Sequence, residues 1–186
     1  LLIINQTHSL LNMVYRDELT QIPNRRALLR DTRNTGSHYA LAMVDVDHFK
    51  KINDQHGHDL GDQVLRAIAS KLNQVTGGGR AYRFGGEEFC LLFRGKTADQ
   101  IIDHLESLRK AIAEYDMTAR DHKTRPWTQN KGEKQRGASH RKGNIRVTVS
   151  MGVADSNTAL DFHTALKVAD EAMYRAKEAG RNQVKS

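Results

Sequence analysis

Tyr82-Arg83-Phe84-Gly85-Gly86-Glu87-Glu88-Phe89-Cys90-Leu91-Leu92-Phe93 decides the reading of this chain. Tyr82 to Phe84 and Phe89 to Phe93 are rich in strand-favouring residues, and Gly85 and Gly86 between them are free of Cβ constraint, so the stretch predicts a β-hairpin with its glycines suited to positive φ. Outward toward the N-terminus, Tyr39 to Val46 is an apolar run closing on Asp45-Val46-Asp47, which predicts a buried strand with acids at its C-terminal end. Between the two, Val64, Leu65, Ile68, Leu72 and Val75 repeat at three and four residues from Leu60, the mark of an amphipathic helix. Beyond the hairpin a second such helix is predicted over Ala98 to Tyr115. Ile145, Val147 and Val149 alternate with polar residues as a strand, and a last helix runs from about Leu160 to Ala179, where Gly180 stops it. The order β, α, β-hairpin, α, β, α describes an α/β sandwich around a mixed central sheet with flanking helices.

The chain has 186 residues, enough for one core and too few for two ordinary domains. Its 38% hydrophobic and 27% charged residues exclude the disordered class. No apolar run approaches the roughly 18 residues of a membrane helix, no secretory-signal pattern is visible, and the single cysteine, Cys90, cannot form an internal disulfide. A reducing cytoplasm is therefore the expected setting. The net charge of +7 is local: residues 117–143 carry eight cations against two acids, a net +6. With Gly132, Gly137, Gly143 and Pro126 and no sustained apolar period, this segment reads as an inserted basic loop. It is either a solvated loop or, through residues 120–142, a surface for anionic lipid headgroups or an acidic partner. Nucleic-acid binding is disfavoured, since only Trp127 interleaves the cations. Leu1, Ile4, Leu11 and Val14 share a helical face, so residues 1–16 are expected to be the end of a linker helix from a longer protein.

Asp45 and Asp47 fall on one face of an extended strand, and the hairpin adds Glu87 and Glu88. Each set alone suits a solvated acidic turn. Together they could gather the hard oxygen ligands that one or two divalent ions on a triphosphate require. Gly95-Lys96-Thr97 fails as a phosphate loop because the residue five before Gly95 is Cys90 rather than glycine. The nine histidines lack zinc-ligand spacing.

Arg83-Phe84-Gly85-Gly86-Glu87-Glu88-Phe89 resembles the signature of the GGDEF family of diguanylate cyclases, in its Gly-Gly-Glu-Glu-Phe form. Supporting motifs occur in family order: Asp17-Glu18-Leu19-Thr20 with Pro23-Asn24-Arg25, Asp45 through Asp54, Gly57-His58-Asp59-Leu60-Gly61-Asp62, and Ala169-Asp170 through Lys177 to Gly180-Arg181-Asn182. The resemblance implies a palm-like (ferredoxin-like) catalytic domain over 17–186, with the basic insertion as its main departure. It implies condensation of two GTP into cyclic di-GMP with release of two pyrophosphates, dependent on Mg²⁺ or Mn²⁺, at the interface of a homodimer. It also implies an upstream sensor or dimerisation module. Carried over, Asp45, the Val46 carbonyl, Glu87 and Glu88 are the metal ligands, and Glu87 accepts the 3′-hydroxyl proton. Asn53 and Asp62 read guanine, whose N1–H and N2–H both donate on one edge. His58 lies beside that pocket, Phe49, Lys50, Gly85 and Gly86 line the nucleotide site, and Lys177 and Arg181 hold the terminal phosphates. The rival reading is a catalytically silent module that binds GTP or cyclic di-GMP.

Overall fold

The computed structural model describes residues 14–119 and 142–186. In chain order the elements are α1 (Arg25–Thr32), β1 (Tyr39–Val46), α2 (Phe49–His56), α3 (His58–Leu72), β2 (Gly79–Arg83), β3 (Glu88–Arg94), α4 (Ala98–Ala113), β4 (Met117–Ala119), β5 (Lys142–Ile145), β6 (Val149–Asp155), α5 (Phe162–Glu178) and β7 (Val184–Lys185). Five strands form one sheet in the order β2-β3-β1-β6-β7. β1 is central and antiparallel to both neighbours, and β6 runs parallel to β7. All eight residues of β1 are buried, as an apolar run without alternation requires when both faces of a sheet are covered.

On one face, Val44, Val46, Phe89, Leu91 and Met151 meet Leu65, Ile68 and Leu72 of α3 and Ile101, Leu105 and Ile112 of α4. On the other, Leu41, Met43, Tyr82, Cys90 and Leu92 meet Leu28 of α1 and Ala165, Ala169 and Met173 of α5. The α/β sandwich and the palm-like arrangement expected from the sequence are both present, and the hairpin joins β2 to β3 at one edge.

Several boundaries differ from expectation. The helix expected from Leu60 begins at His58 and stops at Leu72, so Val75 packs on the core from the turn beyond it. Two short helices, α1 and α2, escape periodicity because few of their residues are buried: Ala27, Leu28 and Asp31 in α1, and Phe49 alone in α2. The strand expected through Ile145, Val147 and Val149 is two strands. β5 ends at Ile145, opposite Met117 of β4 in a separate two-stranded ribbon, and β6 begins at Val149. The residues between are held otherwise: Arg146 pairs with Asp116 at 2.7 Å, and the Thr148 carbonyl accepts from the Asp47 N–H. The ends of the basic insertion are thus strand rather than loop. Its remainder and most of the expected N-terminal helix lie outside the described residues.

α5 lies directly on β6 at Gly152. A Cβ there would overlap the Ala169 carbonyl oxygen and the Met173 nitrogen, backbone atoms that no rotamer change can move. Gly152→Ala should therefore push α5 off the sheet and destabilise the domain by about 1–3 kcal/mol, the usual range for overpacking. Urea unfolding would read this as a lower midpoint at unchanged slope.

Candidate active site at the end of the central strands

The antiparallel register sets Asp45, near the end of β1, directly opposite Glu88, the first residue of β3. The Val46 N–H donates to the Glu87 carbonyl at 3.4 Å, so both glutamates of the hairpin stand at the same sheet end as Asp45. Lys177 reaches in from α5 and places Nζ 2.8 Å from Asp45 Oδ2. Asp45 is buried and Lys177 only partly exposed, so the ion pair is shielded from bulk water.

The glycine turn is shaped differently from expectation, because neither Gly85 nor Gly86 takes a positive φ. The turn is instead held from outside by Arg83, whose Nη2 donates to the Gly86 carbonyl at 2.7 Å and Nε to the Gly85 carbonyl at 3.3 Å. The same guanidinium donates to Asp17 Oδ1 at 2.8 Å, and Asp17 also accepts from the Thr20 N–H and hydroxyl. Burial works to raise the Asp17 pKa, but those hydrogen bonds outweigh it and hold the carboxyl below its ordinary value. What the glycines supply is space. A Cβ at Gly85 would come within 3.1 Å of Glu88 Oε2, and one at Gly86 would meet nothing within 4 Å.

Asp47 departs from the reading of Asp45 and Asp47 as a pair of metal-facing acids. Its carboxylate accepts from the Thr148 hydroxyl at 2.6 Å, the Ser150 hydroxyl at 2.7 Å and the Asn182 N–H at 3.0 Å. It ties β1 to β6 and to the turn after α5. Asn182 in turn accepts from Arg109 of α4 at 2.8 Å, and both Arg181 and Asn182 hold left-handed φ values of 64° and 46°. This network leaves Arg181 exposed at the turn. Arg109 was not singled out from sequence, since an isolated arginine carries no spacing signal, and Arg83 figured there only as part of the hairpin string.

Asn53 of α2 meets α3 at Gly61, the residue before Asp62. Asn53 Oδ1 is buried and has no hydrogen-bond partner among the described residues. It lies against Gly61, where a Cβ would overlap it, so the glycine before Asp62 is what lets the amide approach α3. A buried acceptor left unpaired is costly, and a ligand donor is one way to satisfy it. His58 and Lys50 are exposed in the first turns of α3 and α2. The Phe49 side chain is buried in the core, which leaves only its main chain for a ligand.

Burial raises the pKa values of Asp45, Glu87 and Glu88 above their ordinary range. Lys177 opposes the shift at all three, whereas neighbouring carboxylates, Asp170 among them at Asp45 and Glu88, add to it. Arg25 also opposes it at Glu88. No three His, Cys, Asp or Glu side chains among the described residues are already gathered around a metal position. The donor set of carboxylates plus the Val46 carbonyl nevertheless fits a hard divalent cation, and the Lys177 ammonium already occupies the cationic place beside Asp45.

Residues 14–132 and 122–183 match the family described as diguanylate cyclase, GGDEF domain. The chain is 34% identical over 172 residues to the diguanylate cyclase VdcA of Vibrio cholerae, covering 90% of this chain and 45% of that protein. It is 30% identical over 186 residues to the probable diguanylate cyclase DgcI of Escherichia coli, covering 97% and 35% respectively. The chain thus spans less than half the length of these relatives. Among solved structures, the coiled coil and GGDEF domain of Caulobacter crescentus DgcB in complex with c-di-GMP superposes with a TM-score of 0.82 at 27% identity, covering 98% of this chain and 91% of that one. Diguanylate cyclase SiaD of Pseudomonas aeruginosa, solved with its activator SiaC, gives 0.76 at 30% identity, covering 98% and 65%.

Raised acids keep protons at pH values where free carboxylates have lost them, and a cation placed among them must displace those protons. Mg²⁺ affinity should therefore rise with pH through the raised carboxyl range, while the protons released per ion fall toward zero. Calorimetric Mg²⁺ titrations in buffers of different ionisation enthalpy measure that release directly, and Asp45→Asn should diminish it.

Proposed function

The chain belongs to the GGDEF-domain family of diguanylate cyclases, and we propose that it condenses two GTP into cyclic di-GMP with release of two pyrophosphates. The observation that carries this reading is the opposition of Asp45 and Glu88 at the sheet end, flanked by Lys177 and an unobstructed glycine turn. In each half of the reaction the 3′-oxygen of one nucleotide bonds to the α-phosphorus of the other, and the bond to the β-phosphate breaks. Mg²⁺ or Mn²⁺, held by Asp45, the Val46 carbonyl, Glu87 and Glu88, supplies the charge neutralisation that the departing pyrophosphate needs. Glu87, at the same sheet end as Asp45, accepts the 3′-hydroxyl proton. Lys177, which pairs with Asp45 here, would meet the triphosphate from α5, and Arg181 the terminal phosphate from its exposed turn. Asn53 and Asp62 hold the guanine edge, with His58 at the rim and Lys50 and the Phe49 main chain along the phosphates.

One domain of this kind holds one GTP, and the product has two-fold symmetry, so two copies meet face to face around their substrates. Residues 17–186 then act as the catalytic unit of a longer protein, with 1–16 leading from an upstream module that brings copies together. GTP as substrate and the buried thiol of Cys90 both suit a cytoplasmic setting.

Incubation with GTP and Mg²⁺ should yield cyclic di-GMP by mass spectrometry. Glu87→Gln and Asp45→Asn should each cut turnover more than about tenfold, a loss above roughly 1.4 kcal/mol, while keeping the wild-type fold by circular dichroism. Either variant retaining more activity would overturn the metal assignment, and a silent module would form no product at all.

Base choice gives a second test. Asp62→Ser removes the acceptor for the two guanine donors and should narrow the preference for GTP over ATP by about 1–3 kcal/mol in competition assays. Unchanged preference would remove Asp62 from the guanine pocket.

A further inference from the structure

The turn after α5 is held in a conformation that its residues do not favour. Arg181 and Asn182 both sit in the left-handed region, at φ 64° and 46°, directly after Gly180 at 108°. Glycine adopts such backbone freely, whereas two consecutive residues with side chains keep it only where the surroundings fix it. Here they do. The Arg181 N–H donates to the Ala176 carbonyl at 3.0 Å, the Asn182 N–H to Asp47 Oδ2 at 3.0 Å, and the Met151 N–H to the Gln183 carbonyl at 3.0 Å. Those contacts hold the main chain from α5 and from the strands that α5 covers. The Asn182 side chain is held from the other face of the sheet, where Arg109 Nη1 of α4 donates to its Oδ1 at 2.8 Å.

Arg109 is placed to act on geometry rather than on charge. Its Nε donates to Glu106 Oε2 at 2.8 Å and its Nη2 lies 2.8 Å from the same oxygen, so a carboxylate one helical turn back already balances the guanidinium. The side chain is only 14% exposed. The nitrogen left over faces a neutral amide, and the value of that contact lies in its direction, which the rigid fork fixes. What the braced turn presents is the exposed Arg181, just beyond the helix end that carries Lys177. An arginine on fixed backbone loses less freedom on meeting a phosphate than one on a turn that must first be ordered.

Resting on the triphosphate site of the proposed function, we propose that Arg109 is a positioning residue for the terminal phosphate: through the Asn182 side chain it fixes the left-handed turn that presents Arg181, and thereby sets the preference for guanosine triphosphate over the diphosphate. Without Arg109 the Asn182 amide loses its donor, the turn relaxes toward right-handed backbone, and Arg181 swings away from the place of a third phosphate. Lys177 extends from α5 itself, ahead of the turn, so the shorter nucleotide does not depend on Arg109.

The test measures the binding of fluorescent mant-GTP and mant-GDP to the whole chain with Mg²⁺, a readout that needs no turnover. Wild type should prefer the triphosphate. Arg181→Ala should reduce that preference about tenfold, as loss of a charged hydrogen bond does, and Arg109→Ala at least about threefold, as loss of a neutral one does. In both, mant-GDP affinity should stay within about twofold of wild type, and the double variant should lose no more than Arg181→Ala alone, because Arg109 acts only through Arg181. Asn182→Gly suits left-handed backbone and removes only the amide, so it should match Arg109→Ala, and it carries the comparison if that variant does not fold. Asn182→Asp keeps the acceptor and should keep the preference. Unchanged preference in Arg109→Ala and Asn182→Gly would overturn the proposal. So would an equal loss of mant-GDP affinity, the mark of a merely structural contact, or additive losses in the double variant. A wild type that does not distinguish the two nucleotides, or an Arg181→Ala variant that still does so fully, would overturn it as well. If the binding pattern holds yet no cyclic di-GMP forms, the cyclase reading fails while the role of Arg109 stands.

Discussion

Two carboxylates directly opposite each other on antiparallel strands repel, and the fold places Asp45 and Glu88 in just that relation at the end of its central strand pair. The arrangement persists because β1 and most of β3 are buried between two packed faces, so a one-residue slip would have to repack both halves of the core at once. Lys177 relieves part of the repulsion from α5. The domain therefore concentrates negative charge at the end of its central strands, and this unfavourable local charge is carried by packing elsewhere.

Around that point the structure is braced by polar contacts rather than by more hydrophobic surface. Arg83 clamps the two glycine carbonyls to Asp17, so the turn stays open without left-handed backbone. Asp47, two residues from Asp45, is wholly occupied in joining β1 to β6 and to the turn that presents Arg181. Arg109 secures that turn from α4, on the opposite face of the sheet from α5. Two aspartates separated by one residue thus do different jobs. One stands opposite Glu88 and pairs with Lys177, and the other fixes the frame of the turn that carries Arg181.

The central strand, the hairpin and the three long helices were legible in the sequence, because each carries an unbroken apolar run, a strand-turn-strand pattern or a repeat of three and four residues. So was the gathering of Asp45, Glu87 and Glu88 at one sheet end, through the acids that close the first strand and follow the glycines of the hairpin. The short helices α1 and α2 were not, since eight residues with one to three buried side chains leave no period to detect. The split at Arg146–Thr148 was hidden for a related reason: alternation continues through it, and only the pull of Asp47 and Asp116 on this segment separates β5 from β6.

By itself, the sequence determined which residue types sit next to one another along the chain, and hence the elements, the family and the candidate ligands. Tertiary structure alone decided that Asp47 is a structural tie within the sheet, that Lys177 crosses to Asp45, and that Arg25 and Arg26 border a cleft beside the glycine turn. The reason is that spacing along a chain reports only local periodicity. The use of a charge depends on what burial and strand register bring against it from residues a hundred or more positions away, as Thr148, Ser150 and Asn182 do for Asp47.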